Sequence, residues 1–309
     1  MPADRRGAFV ALLVCMVCFG GTWPAGKVAA SHVEPAVVAV TRFASAAVLL
    51  WLWARLSGNP VRRPSRRDLP LLVVLGFTVV FAYNLCFLYG VRHAPATDGA
   101  VLVPGLIPAM TTLLAWPVLG ERPARRSVAG LALAFVGVVV VADPTGNVGS
   151  QRLIGDVLFV GAAVSWAAYT LAGREATARF GSVSANVFAT GIGSLLLLPV
   201  SFVGNGWSGL GSATGGAWGS IAYLSLAGTV LAFVLFYEGV RLLGASAASA
   251  FALLVPIFGV LSSVLVLGER LHPALGLGGA IVVAGLWLVQ APGRAGVHSG
   301  YESRLDEGR

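Results

Sequence analysis

The chain has 309 residues, of which 57% are hydrophobic and 11% charged, with a mean hydropathy of +0.83 and a formal net charge of +8. An ordinary soluble domain carries roughly 25% charged residues, so a water-soluble fold of this length could not solvate its own surface. The basic balance, with an isoelectric point near 10.1, does not call for a nucleic-acid partner, because the basic residues fall in the gaps between apolar runs.

A bilayer core about 30 Å thick needs roughly 20 consecutive apolar residues per helix. From the N-terminus, 20 uncharged residues separate Arg6 from Lys27, 23 separate Asp68 from Arg92, 22 separate Asp98 from Glu121 and 27 separate Arg241 from Glu269. The uncharged stretch from Phe180 to Tyr237 is too long for one helix, and its Gly, Ser and Asn-rich middle (Gly204 to Gly216) predicts two spans joined by a turn. With shorter runs at Ser127 to Ala142 and Val157 to Gly173, the pattern predicts helices over 8–26, 35–55, 69–91, 97–119, 126–142, 155–173, 183–203, 217–240, 245–267 and 272–291. The expected fold is an all-α integral membrane protein of ten transmembrane helices. The first run is long, lacks a small-x-small cleavage site and precedes further spans, so it reads as a retained helix rather than a signal peptide. The polar tail 292–309 reads as disordered.

Cys15, Cys18 and Cys86 all fall inside predicted helices; no His or carboxylate accompanies the Cys15-x-x-Cys18 pair, which reads as two small apolar side chains on one helix face. With a cytoplasmic N-terminus, 16 basic residues lie on the inner side against four on the outer side (Lys27, Arg92, Arg152 and Arg270), and Arg42 sits inside a span. This bias follows the positive-inside rule and puts both termini in the cytoplasm, in the inner (plasma) membrane of the cell. The cluster Arg62-Arg63-Pro64-Ser65-Arg66-Arg67 reads as an orientation determinant touching anionic headgroups.

The chain repeats itself. Leu119-Gly120-Glu121-Arg122 recurs as Leu267-Gly268-Glu269-Arg270, a shift of 148, and Gly90-Val91-Arg92 recurs as Gly239-Val240-Arg241, a shift of 149. Pro108 falls on Pro256, Gly130 on Gly278 and Gly137 on Gly285, while a shift of 147 puts Phe19 on Trp166, Gly26 on Gly173 and Lys27 on Arg174. Five helices per half is an odd number, so the second half enters from the opposite side. The domains expected are a first repeat over 8–142, a periplasmic linker over 143–154 and a second repeat over 155–291.

Phe19-Gly20 with Lys27 eight positions on, Thr41-Arg42-Phe43, Tyr83-Asn84, the Pro108 helix ending in Leu-Gly-Glu-Arg, the Trp166 helix and the Pro256 to Arg270 segment together resemble the EamA-type proteins of the drug/metabolite transporter superfamily. The resemblance covers roughly residues 8–291. It implies two inverted five-helix bundles around a central cavity lined by the first, third, fourth, sixth, eighth and ninth spans. It also implies transport of small polar metabolites, such as amino acids, by alternating access, in the direction of export.

Gly- or Pro-interrupted helices at matching places in two repeats point to a transport site, because freed backbone groups can face water but not lipid. On this ground Pro108 and Thr111 in the fourth span, and Pro256 and Gly259 in the ninth, are candidate lining residues, with a purely structural kink as the other reading. Thr22 and Trp23 in the first span, Tyr83, Asn84 and Phe87 in the third, Trp166 and Tyr169 in the sixth and Tyr237 in the eighth supply aromatic and polar groups at similar depth. Trp23 and Trp166 read equally well as packing or interfacial anchors. Arg42 reads either as an anchor for a substrate carboxylate or as a structural contact to an acid or backbone carbonyl. Asp98 and Asp156 sit near predicted helix starts, where the macrodipole favours carboxylates. Glu121 and Glu269 are expected to cap or bridge neighbouring helix ends.

Among the classical catalytic and nucleotide-binding motifs, no HExxH, GxSxG or Walker A pattern occurs. A receptor or scaffold, and an intramembrane enzyme, are the alternatives to a carrier. The partners expected are a small-molecule substrate and membrane lipid, with a homodimer allowed and no nucleic acid, metal or cofactor.

Overall fold

A computed structural model describes residues 3–58, 61–62, 64–120, 125–142, 150–203, 206–243 and 251–290, and every regular element among them is helical. Seven of these described helices are long and apolar enough to cross a membrane: Arg6–His32, Pro35–Leu56, Arg66–His93, Ala96–Val118, Gln151–Phe180, Ser182–Ser201 and Gly215–Leu243. Two shorter apolar helices follow, Val255–Leu267 and Pro273–Leu288. In chain order the elements are α1 (Ala3–Gly20), α2 (Thr22–His32), α3 (Pro35–Leu56), α4 (Leu69–Leu75), α5 (Tyr83–His93), α6 (Ala96–Leu119), α7 (Arg125–Ala142) and α8 (Ser150–Phe180). After them come α9 (Ser182–Ser201), the short α10 (Ser208–Gly211), α11 (Gly215–Ser225), α12 (Ala232–Leu243), α13 (Val255–Leu267) and α14 (Pro273–Gln290). Glu121, Arg122, the linker residues 143–149, the expected start of the ninth span at 245 and the tail 292–309 lie outside the described residues.

Three departures from the expected spans have local causes. The first run is interrupted at Gly21, where Pro24 has no N–H to give the Gly20 carbonyl; the Ser262 hydroxyl of α13 donates to that oxygen instead, at 3.3 Å. The sixth run is 31 residues, Ser150 to Phe180, about 46 Å at 1.5 Å per residue, so Arg152 and Asp156 belong to the helix proper. Pro256 stands in the first turn of α13, where a missing N–H costs nothing.

The third and eighth runs each contain a π-helical segment, Gly76–Ala82 between α4 and α5 and Leu226–Leu231 between α11 and α12. A π-turn leaves carbonyls without their usual i+4 partner. Side chains five residues on take two of them: Asn84 Nδ2 donates to Val79 O at 2.8 Å, and Thr229 Oγ1 donates to Leu224 O at 2.8 Å.

The internal repeat is visible in the packing. A Cβ on Gly137 would come within 2.7 Å of Gly278 O, and one on Gly285 within 2.6 Å of Gly130 O. Exchanging each glycine for its mate at a shift of 148 converts one contact into the other. The numbering runs up α14 as it runs down α7, so these repeat mates cross antiparallel through backbone contact, which glycine permits. Gly90 on α5 faces Phe159 on α8; their mates Gly239 on α12 and Leu12 on α1 face each other in the same way.

The repeated Leu-Gly-Glu-Arg also acquires a cause. Gly120 and Gly268 close α6 and α13 in the left-handed region, φ +73° and +66°, with their N–H groups returned to Trp116 O and Val264 O. Glu269 then accepts the Ala96 and Thr97 N–H groups at 2.8 and 2.9 Å, capping α6.

Candidate functional site

One line of aromatic rings runs through the described core. Trp23 meets Phe87 edge-on at 5.0 Å and Phe159 at 5.9 Å; Phe87 stacks on Tyr83 at 6.1 Å; Tyr83 meets Trp166 at 5.0 Å and Trp166 meets Tyr169 at 5.7 Å. The line changes character along its length. Trp23, Phe87 and Phe159 are fully enclosed, whereas Tyr83, Trp166 and Tyr169 are only half-buried. Gly26, Gly99 and Gly259 close the Trp23 end, since a Cβ on Gly259 would lie 2.8 Å from Ala100 Cβ and 2.9 Å from Trp23 Cδ1. The Tyr169 hydroxyl donates to Asn186 Oδ1 at 3.1 Å.

Arg42 of α3 is buried beside this line, 7% exposed. Its Nε donates to Thr229 Oγ1 at 3.1 Å and its Nη1 to Asn84 Oδ1 at 3.2 Å. It has no carboxylate partner among the described residues. The guanidinium therefore spans the two π-segments through the same two side chains that satisfy their carbonyls, linking one repeat to the other. The guanidinium also lies over the Phe43 ring, 4.7 Å from its centroid, and a buried cation met only by neutral oxygens and a ring face keeps donor capacity and charge for an anion.

The other sequence candidates distribute around this centre. The Thr22 hydroxyl donates across the break at Gly21 to Phe19 O at 2.6 Å, and Thr111 donates within its own helix to Ile107 O at 2.8 Å. Pro108 is half-buried within α6, Tyr237 half-buried on α12 and Pro256 half-buried at the head of α13. No ring contact or hydrogen bond among the described residues joins Pro108, Thr111, Tyr237 or Pro256 to the aromatic line. Phe159, Thr229 and Asn186 complete the arrangement and were not among the sequence candidates. The three cysteines are free, with Cys15 Sγ donating to Ala232 O at 3.2 Å.

The two ends of the bundle differ. At the end bearing Glu34, called here the Glu34 face, Lys27 Nζ donates to Ala94 O at 2.5 Å and Arg152 Nε to Asp98 Oδ2 at 2.8 Å, beside the Glu269 cap. Glu34 itself accepts from the Tyr89 hydroxyl and from Arg92 Nη1 at 2.9 Å. Burial pushes the Glu34 carboxyl up, but the bonds from Tyr89 and Arg92 outweigh it and hold the group below the usual carboxylate range. At the opposite face, Arg179 bonds Asp68 at 3.1 Å and Glu175, and Arg62 reaches the Arg179 carbonyl at 3.3 Å.

Comparison with known proteins fits this architecture. The EamA-like transporter family matches the chain twice, over residues 6–142 and 153–291. The "uncharacterized transporter YyaM" of Bacillus subtilis is 26% identical over 90% of this chain and 92% of its own. A "probable terminal-alkyne amino-acid exporter" of Streptantibioticus cattleyicolor is 30% identical over 90% of this chain and 92% of its own. A solved crystal structure, 22% identical, superposes with a TM-score of 0.61 over 94% of this chain and 99% of its own, a likeness of fold.

Proposed function

The chain belongs to the EamA-like transporter family, a multi-pass membrane transporter and not an enzyme, and from that premise we propose that it exports small polar metabolites bearing a carboxylate, amino acids or close relatives. The observation that carries this reading is Arg42: a buried guanidinium, without an acid partner among the described residues, at the junction of the two repeats. Such a cation is costly in a membrane interior unless an anion or water meets it. The substrate carboxylate engages Arg42 and Asn84. Tyr83, Trp166 and Tyr169 form the half-open aromatic wall against which its organic part rests, with Trp23, Phe87 and Gly259 as the floor that seals the far side. Thr22, Pro108, Thr111, Tyr237 and Pro256 line the remainder of the path.

In this reading ten helices cross the inner membrane as two inverted bundles, 8–142 and 155–291, joined by a linker at 143–154. The seven long spans, together with α7, α13 and α14, supply the ten. The bias of 16 basic residues to four supports cytoplasmic termini, which turns the Glu34 face outward. Alternating access consists of opening that face while the Tyr169 end closes. The amino-acid exporter among the relatives supports both the substrate class and the direction.

The test is transport by purified protein in liposomes. Amino acids should compete for the carrier and the matching amines, lacking the carboxylate, should not. Arg42→Gln should cut transport at least about a hundredfold, in line with the roughly 3 kcal/mol of a charge-assisted pair, while a thermal-shift assay reports a folded protein. Equal competition by amines would remove the carboxylate reading. Reporter fusions at Gly300 and Asn147 should report cytoplasm and periplasm respectively; the reverse would turn the Glu34 face inward.

A further inference from the structure

Asp156 is 2% exposed, and neither of its carboxylate oxygens has a hydrogen-bond partner among the described residues. Arg152 stands one turn earlier on α8, at the spacing where acid and base ordinarily pair. That guanidinium is engaged elsewhere: Nε donates to Asp98 Oδ2 at 2.8 Å and Nη2 to the Val141 carbonyl at 3.0 Å. Asp98, 1% exposed, is satisfied by it; Asp156 is a second acid with the cation already taken. Nor does the helix terminus account for it, because α8 begins at Ser150 and Asp156 lies beyond the first turn, where the macrodipole fades.

The surroundings leave little room for a hydrated ion. Gly155 lies so close to α5 that a Cβ there would stand 2.7 Å from Ala94 N and 2.9 Å from Gly90 O. An ionised carboxylate enclosed in this way loses its hydration without replacement, and such a group neutralises instead. A metal ion would demand several donors, and no group of three or more His, Cys, Asp or Glu able to hold one occurs among the described residues. The charged groups facing Asp156 are Arg152 on its own helix and Asp98 on α6; Asp98 in turn faces Glu269 and His272, and Lys27 of α2, bound to the Ala94 carbonyl, faces both Asp98 and Glu269. On α5, Arg92 is tied to Glu34.

We propose that Asp156 is a proton-binding site that latches the Glu34 face: protonated, it stays within the packed seal of α5, α6 and α8; ionised, it draws water and parts that seal. The proton comes from solvent at that face and returns to it, and the only bond made or broken is O–H. The device exists in one repeat only, since a shift of 147 puts Phe9 at the equivalent place in α1. It deepens the transport reading, resting on it only for the premise that the Glu34 face opens.

Thiol accessibility tests the latch without any substrate, so the latch can fail while transport stands. In a background with Cys15, Cys18 and Cys86 replaced, Thr97→Cys puts a buried thiol in the first turn of α6. Its rate with a membrane-impermeant thiol reagent, divided by that of exposed Ser31→Cys to remove the thiol's own titration, should rise at least about tenfold between about pH 5 and pH 9. Asp156→Asn, which mimics the neutral acid, should hold the ratio low at every pH, and Asp156→Glu should keep a pH-dependent rise. A flat ratio with Asp156 intact, or a rise that survives in Asp156→Asn, overturns the proposal. A ratio that changes when sodium chloride replaces choline chloride at fixed pH also overturns it, by assigning the site to a metal cation. Should Asp156→Asn fail to fold, infrared difference spectra of the unaltered protein decide: a neutral carboxylic-acid carbonyl band lost over the same pH range supports the latch, and no such band overturns it.

Discussion

Phe159 on α8 fills the space that Gly90 leaves on α5, and Leu12, its repeat mate on α1, fills the space that Gly239 leaves on α12. The backbone solution is the same at both ends of the bundle, yet the side chains diverge. Behind Phe159 stand Asp156, Arg152 and Asp98, all turned into the protein. At the position matching Asp156 stands Phe9, half out of the bundle with its ring on Phe251 at 5.3 Å. Trp23 seals the Phe159 end further, while on α1 beyond Leu12 a smaller cluster joins Cys15, Met16 and Cys18 to Ala232, with Phe251 and Phe258 packed against it. A duplicated fold thus provides two equivalent closures, and substitution after duplication left buried charges behind the ring of one and only apolar side chains, phenylalanines among them, in the cluster beside the other. Only the first closure holds a buried carboxylate without a hydrogen-bond partner among the described residues.

The largest effect that would break this comparison is a cavity at each closure. Phe159→Ala removes a fully enclosed ring and should cost about 3–5 kcal/mol, against about 2–5 kcal/mol for the smaller Leu12→Ala. In thermal-shift measurements in detergent the Phe159 variant should melt lower, and only it should speed labelling of Thr97→Cys. Equal melting and equal labelling would mean that the two ends do not differ as closures.

A smaller effect concerns Glu269, whose two oxygens take the N–H groups that open α6. Glu269→Gln keeps one acceptor and loses the charge, for a loss of about 1 kcal/mol, read as a lowered melting temperature with transport retained. Abolished transport at unchanged stability would contradict the capping role.

The smallest effect sharpens the contrast in pH response. Glu34 is held below the usual carboxylate range by Tyr89 and Arg92 against the upward push of burial, so its stabilisation is present above the unfolded carboxylate value and is lost as pH falls through the folded one. The pair is partly exposed, Arg92 at 42% and Glu34 at 30%, and solvent screening reduces the contribution to a few tenths of a kcal/mol. Melting curves for Glu34→Gln should be flatter with acidification than those of the unaltered protein; identical slopes would show that other groups carry the acid sensitivity.

Much of the plan was legible in the sequence because the bilayer imposes a length on every apolar run, and charges stand mostly where those runs end. The spans Pro35–Leu56 and Ser182–Ser201 fall within two residues of their expected limits for that reason. The repeat was legible because Gly120, Gly268, Gly137 and Gly285 sit where a side chain is excluded, by a left-handed backbone or by a crossing helix, and such positions keep their spacing through duplication. Arg42 stood out as a lone charge inside a span. Its neighbours Asn84 and Thr229 are far apart in sequence, and nothing in either segment marks the π-turns that present them.

What the sequence determined by itself, then, is how many apolar stretches the chain has, how the two halves correspond and which residue types are out of place in lipid. Tertiary structure decided which of those residues meet. Arg152 could pair with Asp156 on its own helix or with Asp98 on another, and local spacing favours the first. The structure chose Asp98, because helix packing brings α6 against α8 and a buried cation goes to the acid that the whole set of contacts presents. That choice leaves Asp156 without a hydrogen-bond partner among the described residues, and it could not be read from one helix because it is made between two.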